Sequence, residues 1–114
     1  MLLHFIVYVC HIPLVIDPTH AESFQWDAGN NRKSADKHDV SQNDAEQVFF
    51  NQPLLVLPDS RHSQEEIRLH ALGRTDDNRF LHVTFTLRGG GRLIRVISAR
   101  DMHRKERMRY EQDA

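Results

Sequence analysis

The sequence is poor in cysteine. A single one, Cys10, stands among 114 residues, so no intramolecular disulfide can form and no cysteine pair can hold zinc. That agrees with a reducing compartment. Charge of one sign is not in excess either: the formal net charge is −1, so overall charge points to no polyanionic partner. The eight histidines show neither HxxH nor HExxH spacing. Scattered histidines are more often surface or core residues than ligands, so no metal or other cofactor is expected. Long apolar runs are also lacking. The one candidate, Leu2–Ile16, falls short of the ~20 residues of a membrane span and is broken by His4, His11 and Pro13. No Lys or Arg precedes it, as a signal peptide requires, and Pro18-Thr19-His20-Ala21 is a poor cleavage site.

The length suits one domain, and a hydrophobic fraction of 39% suffices for one modest core. Charge is unevenly spread along the chain. Residues 88–109 carry eight basic side chains against two acidic ones, whereas residues 1–87 carry seven against twelve. Such an asymmetry is the usual footprint of a polyanion site, although a solvated helix face would read the same way.

Ser23–Trp26 reads as a short strand, and Asp27 can cap a helix running to about Lys37. Ser41-Gln42-Asn43-Asp44 has capping-box spacing and predicts a second helix to about Phe50. Ala45, Val48 and Phe49 form its apolar side, with Val40 packing just ahead and Pro53 ending the unit. Leu54–Leu57 is a short apolar strand. Glu65–Gly73 alternates, with Ile67, Leu69 and Ala71 opposite Arg68, His70 and Leu72. Asp76-Asp77-Asn78 is a turn, and Phe80–Leu87 alternates again, with Leu81, Val83, Phe85 and Leu87 against Phe80, His82, Thr84 and Thr86. Gly89-Gly90-Gly91 makes a hairpin turn into a last strand, Leu93–Ser98. A charged helix from about Asp101 to Glu111 follows. It has few apolar positions, so it is expected to dock loosely or to be held by a partner. The order β-α-α-β-β-β-β-α predicts an α+β domain: an antiparallel sheet with two N-terminal helices packed on it and a C-terminal helix.

Several strings, taken in order, resemble the BrnT family of toxin ribonucleases. Phe24-Gln25-Trp26-Asp27 is followed by Lys37-His38 and Val40, then by Ala45, Val48-Phe49, Pro53, Asp59 and His62. Glu66-x-Arg68, Leu72-Gly73 and Thr86-x-Arg88 lead to Arg95-Val96-Ile97-Ser98-Ala99-Arg100, then Glu106-Arg107 and Tyr110. Three features depart from the pattern, one being the Gly89–Gly91 run, which makes the hairpin floppier than is usual in the family. Gln25 stands where an acidic residue is common, and Asp39 stands where glycine often follows Lys-His. The resemblance implies a RelE-like fold and a metal-independent endoribonuclease of a type II toxin–antitoxin system that inhibits translation and growth. It further implies a functional domain at residues 23–114 with residues 1–22 as an apolar N-terminal extension, a cytoplasmic location, and neutralisation by a BrnA-like ribbon-helix-helix antitoxin. The pair is expected to bind operator DNA through the antitoxin, with a toxin dimer in the complex and no membrane contact.

Metal-free RNA cleavage uses the 2′-hydroxyl as nucleophile. It needs a base for that hydroxyl, an acid for the leaving oxygen and cations for the phosphate oxygens. Arginine suits the last role, because its planar fork binds phosphate bidentately. Lys37, His38, Arg68, Arg88 and Arg95 are the candidate catalytic residues, with Arg100, Arg104, Arg107 and Tyr110 for RNA binding. Arg68, His82, Arg88 and Arg95 could form a cationic floor if the polar strand faces align. His70 and His82 are read first as structural, Glu106 as pairing with Arg109, and Tyr110 as stacking on a base or packing back onto the sheet. The competing functions are a non-catalytic nucleic-acid-binding module and a subunit that only forms complexes.

Overall fold

Strict alternation of apolar and polar residues over two neighbouring segments forces a sheet with one dry face. The computed structural model describes residues 7–9, 21–31, 33–59 and 66–113. Most of the Leu2–Ile16 run, and His62, lie outside the described residues. The elements are β1 (Val7–Val9), β2 (Ser23–Phe24), α1 (Lys33–His38), α2 (Gln42–Val48), β3 (Leu54–Pro58), β4 (Arg68–Arg74), β5 (Phe80–Arg88), β6 (Leu93–Asp101) and α3 (Arg104–Asp113). The sheet order is β1-β3-β4-β5-β6-β2.

The fold is α+β, but the sheet is mixed rather than antiparallel. β3 to β6 form the expected antiparallel meander, while both edge strands run parallel to their neighbours, β1 to β3 and β2 to β6. Tight turns force antiparallel pairing only between consecutive strands. β2 reaches β6 from across the whole domain and is free of that constraint. The helices follow the sheet's first strands, and α3 closes the chain.

One face of the sheet holds the main core. Leu69, Ala71, Leu81, Val83, Phe85, Ile94, Val96 and Ala99 point into it and meet Val40, Ala45, Val48 and Phe49 from the α2 region. Ser41 caps α2 as expected, its Oγ accepting from the Asp44 N–H at 3.0 Å. Phe49 lies edge-on to Phe24 and Phe85, with centroids 5.6 and 5.0 Å apart. α2 approaches β4 so closely that a Cβ on Gly73 would stand 2.7 Å from a Val48 methyl.

Asp27 does not start a helix directly. Its carboxylate accepts from the Gly29 N–H, a turn over residues 28–30 follows, and α1 begins only at Lys33. Gly29 and Asn30-Asn31 are too weak as helix formers to extend α1 back to Asp27. Asp39 ends α1 in the left-handed region at φ 54°, a conformation Asp tolerates better than most residues. Gly89, Gly90 and Gly91 all have positive φ, which turns β5 into β6.

The opposite face carries a small second cluster of Leu55, Leu72 and Tyr110, with Leu57, Phe80 and Met102 around it. α3 docks here by few but specific contacts. Tyr110 is buried, donates its hydroxyl to the Pro53 carbonyl at 2.6 Å, and meets Phe80 edge-on. The Arg107 guanidinium sits 4.3 Å from the Phe80 ring centre. The rest of the helix is mostly exposed, including Met108.

Candidate active site

Between this second face and α3 lies a hollow of about 660 Å³. β4 supplies Arg68 and His70, β5 supplies His82 and Thr84, and β6 supplies Ser98 and Arg100. Lys105, Glu106 and Arg109 enter from α3, and Asp59 from the end of β3, with Leu57, Leu72 and Ile97 as apolar lining. The strand register explains the β4 and β5 contributions. His70 pairs with Thr84 and Leu72 with His82, so all four share the face opposite the core.

The β6 contribution depends on an irregularity. The pairing slips between Thr84 and Phe85, leaving Ile97 as an extra residue between Val96 and Ser98. Ile97 and Ser98 both line the hollow, while Val96 and Ala99 are buried in the core. Ser98 therefore leaves the face of Val96 to which simple alternation assigns it. The slip carries Arg100 onto the hollow side, opposite His82. A bulge that re-aims a side chain is a recurrent device beside functional sites.

Two histidine–carboxylate pairs meet in the hollow. His70 Nε2 lies 3.2 Å from Asp59 Oδ2, and its Nδ1 lies 3.0 Å from the Thr84 hydroxyl. His82 Nε2 is 3.6 Å from Glu106 Oε2. The imidazole rings are 4.5 Å apart. Burial pushes His82 down to about 4; Glu106 opposes this, while Arg100 and His70 add to it. Its Nδ1 is buried without a hydrogen-bond partner among the described residues. Burial alone would raise the Glu106 carboxyl. Hydrogen bonds from Arg100 and from the His103 N–H, with the charges of His82 and Arg100, prevail and hold it at about 2. Glu106 therefore pairs bidentately with Arg100, at 2.8 and 2.9 Å, rather than with Arg109. Arg109 instead meets Asp113 one helical turn on, at 3.3 Å.

The residues singled out from sequence are distributed as follows. Arg68 and Arg100 line the hollow. Arg95 pairs across Thr86 from Arg68, and Arg88 follows Thr86 by two positions, so the register puts these residues on one face. Neither Arg88 nor Arg95 lines the hollow. Arg95 binds Asp27 at 2.6 Å and holds that carboxyl below its usual range, and Arg88 lies 3.4 Å from Glu66. Lys37 and His38 end α1 outside the hollow, where the Arg79 guanidinium ties the His38 and Asp39 carbonyls to Asp101. Arg104 and Arg107 are exposed on α3, and Arg107 covers Phe80. Tyr110 faces inward with its hydroxyl engaged, so base stacking would require it to leave the sheet. Sequence pattern alone does not single out Asp59, Lys105, Glu106 or Arg109 as site residues, and it favours a structural role for His70 and His82.

Among the described residues no group of three or more His, Cys, Asp or Glu side chains is placed to hold a metal ion, and no helix is long and apolar enough to cross a membrane. No curated protein matches the chain. The profile of the family described as "Ribonuclease toxin, BrnT, of type II toxin-antitoxin system" matches residues 26–106. That match covers most of the chain, including every strand from β3 to β6 and the start of α3, and the protein belongs to the BrnT family of ribonuclease toxins.

Proposed function

We propose that this chain is a metal-independent endoribonuclease that seats the scissile phosphate in the hollow beneath α3. One observation carries this reading: Arg68, Arg100, Lys105 and Arg109 converge from two strands and a helix around two imidazoles. Guanidinium and ammonium groups neutralise the charge that builds on the phosphate oxygens as the 2′-hydroxyl attacks. Arg68 and Arg100 are assigned to that phosphate. On its arrival the phosphate exchanges with the Glu106 carboxylate for the Arg100 fork. Arg88 and Arg95, on the same face of the sheet, and Arg104 and Arg107 on α3 are assigned to the flanking backbone. Lys37 and His38 do not line this hollow and are left out of the proposed catalytic set.

In the cell, this activity is read as cleaving RNA to stop translation and growth. A type II toxin family implies an antitoxin partner. A ribbon-helix-helix antitoxin that carries the pair to operator DNA, a toxin dimer within that complex, a RelE-like fold and a cytoplasmic location complete the reading. The test is incubation of purified protein with single-stranded RNA and excess EDTA, beside a DNA of the same sequence. Cleavage of RNA alone is expected, because DNA lacks the nucleophile. Intact RNA bound with strong salt dependence would instead assign the basic surface to a non-catalytic binding module.

A further inference from the structure

We infer that His70 is the general base of the cleavage reaction, held in place by Asp59, an inference that rests on the ribonuclease reading above. The geometry is that of an oriented base: one ring nitrogen 3.2 Å from a carboxylate, the other 3.0 Å from a hydroxyl. Asp59 is almost wholly buried, at 7% exposure, so its carboxylate is aimed rather than waving in solvent. It fixes the tautomer with Nε2–H toward the carboxylate, which leaves the Nδ1 lone pair to receive a proton. The Thr84 hydroxyl already sits at Nδ1, on the wall of the hollow, and marks where a substrate hydroxyl approaches. Arg68 stands two residues before His70 on the same strand face, beside the position proposed for the phosphate.

His70 takes the proton of the 2′-hydroxyl. The 2′-oxygen forms a bond to phosphorus, and the bond from phosphorus to the 5′-oxygen breaks with its electron pair on that oxygen. The departing oxygen takes a proton from solvent water, and His70 returns its own to the hydroxide so formed. The products are a 2′,3′-cyclic phosphate end and a 5′-hydroxyl end, and no other reactant is consumed. His82 does not compete as the base. It is buried, its Nε2 faces Glu106, and its Nδ1 is sealed from solvent. Its ring instead packs beside His70 and limits how that ring can turn.

Among the described residues, the charged groups sharing the hollow with His70 are Asp59, Arg68, Arg100, Lys105, Glu106 and Arg109, and His82 is the other titratable ring. Removing the Asp59 carboxylate takes away the negative charge next to the ring. The ascending limb of the pH–rate profile then moves to lower pH while the maximal rate falls.

The experiment measures single-turnover cleavage of a short single-stranded RNA by the wild-type chain and by His70→Ala, His70→Gln and Asp59→Asn. Both His70 variants should lose ~100-fold or more in rate. Added imidazole should restore part of the His70→Ala activity, which a purely structural role would not allow. Asp59→Asn should lose ~10-fold and show the displaced pH limb. Product ends should be cyclic phosphate and 5′-hydroxyl. Wild-type cleavage with undiminished His70 variants would remove His70 as base and leave the ribonuclease standing. Variants that are slow but folded and unrescued by imidazole would also overturn the assignment. Failure of the wild-type chain to cut any RNA would bring down both readings together.

Discussion

The two faces of the sheet are built from the same strands and do opposite things. The face toward α2 is filled with Phe49, Phe85, Leu69, Leu81 and Ile94, each almost wholly buried. The face toward α3 puts arginines, histidines and carboxylates around an unfilled hollow. Alternation along β4 and β5 allots one set of side chains to stability and the other to chemistry. The polar face keeps its groups charged or oriented by pairing: Glu106 with Arg100, His70 with Asp59, Arg95 with Asp27. A domain of this size can hold such a face because its core is on the other side, where filling it disturbs no chemistry.

This division can be broken from either side. Phe85→Ala should cost about 3–5 kcal/mol of stability in a denaturant titration, while the folded fraction cleaves RNA at the normal rate. Acidification should weaken the protein through the polar face. His82 is held at about 4, below its ordinary 6.5, so stability is full above pH 6.5 and declines as pH falls toward 4, by on the order of 3 kcal/mol. The depressed Glu106 carboxyl continues the decline from pH 4.5 toward 2. Melting temperatures between pH 7 and 4 check this, and His82→Gln should flatten the upper part of the curve. Arg68→Ala should lower cleavage ~100-fold, near 2.7 kcal/mol of transition-state stabilisation, with little change in melting temperature. Gly73→Ala should cost about 1–3 kcal/mol, because the new methyl meets Val48 at 2.7 Å, and should leave the cleavage rate of folded protein alone. If core-face and hollow-face variants change rate and stability to the same degree, the division is wrong.

Local features of the chain were readable in advance. The Ser41 cap, the buried Val40, Ala45, Val48 and Phe49, and the alternation of β4 and β5 all follow from short-range rules. What local pattern could not supply was anything set by distant partners. The parallel pairing of β2 with β6 joins residues about seventy positions apart. The slip at Ile97, which turns Arg100 toward His82, leaves no periodic trace in a nine-residue strand. Glu106 chose Arg100 on the sheet over Arg109 on its own helix because the partly dry hollow strengthens that pair. One longer-range signal does stand in the sequence. A tight hairpin centred on Asp77 places His70 opposite Thr84 and brings His82 diagonally beside it, so the histidine pair could have been found by counting outward from the turn.

The most direct measurement is an NMR titration of isotope-labelled protein with a short RNA whose 2′-hydroxyls are methylated, so that it binds without being cut. Shifts should concentrate on the side chains of Arg68, His70 and Arg100 and on the backbone of β4, β5 and α3. Shifts confined to the α1–α2 side of the sheet, with His70 and Arg100 unmoved, would contradict an RNA site beneath α3.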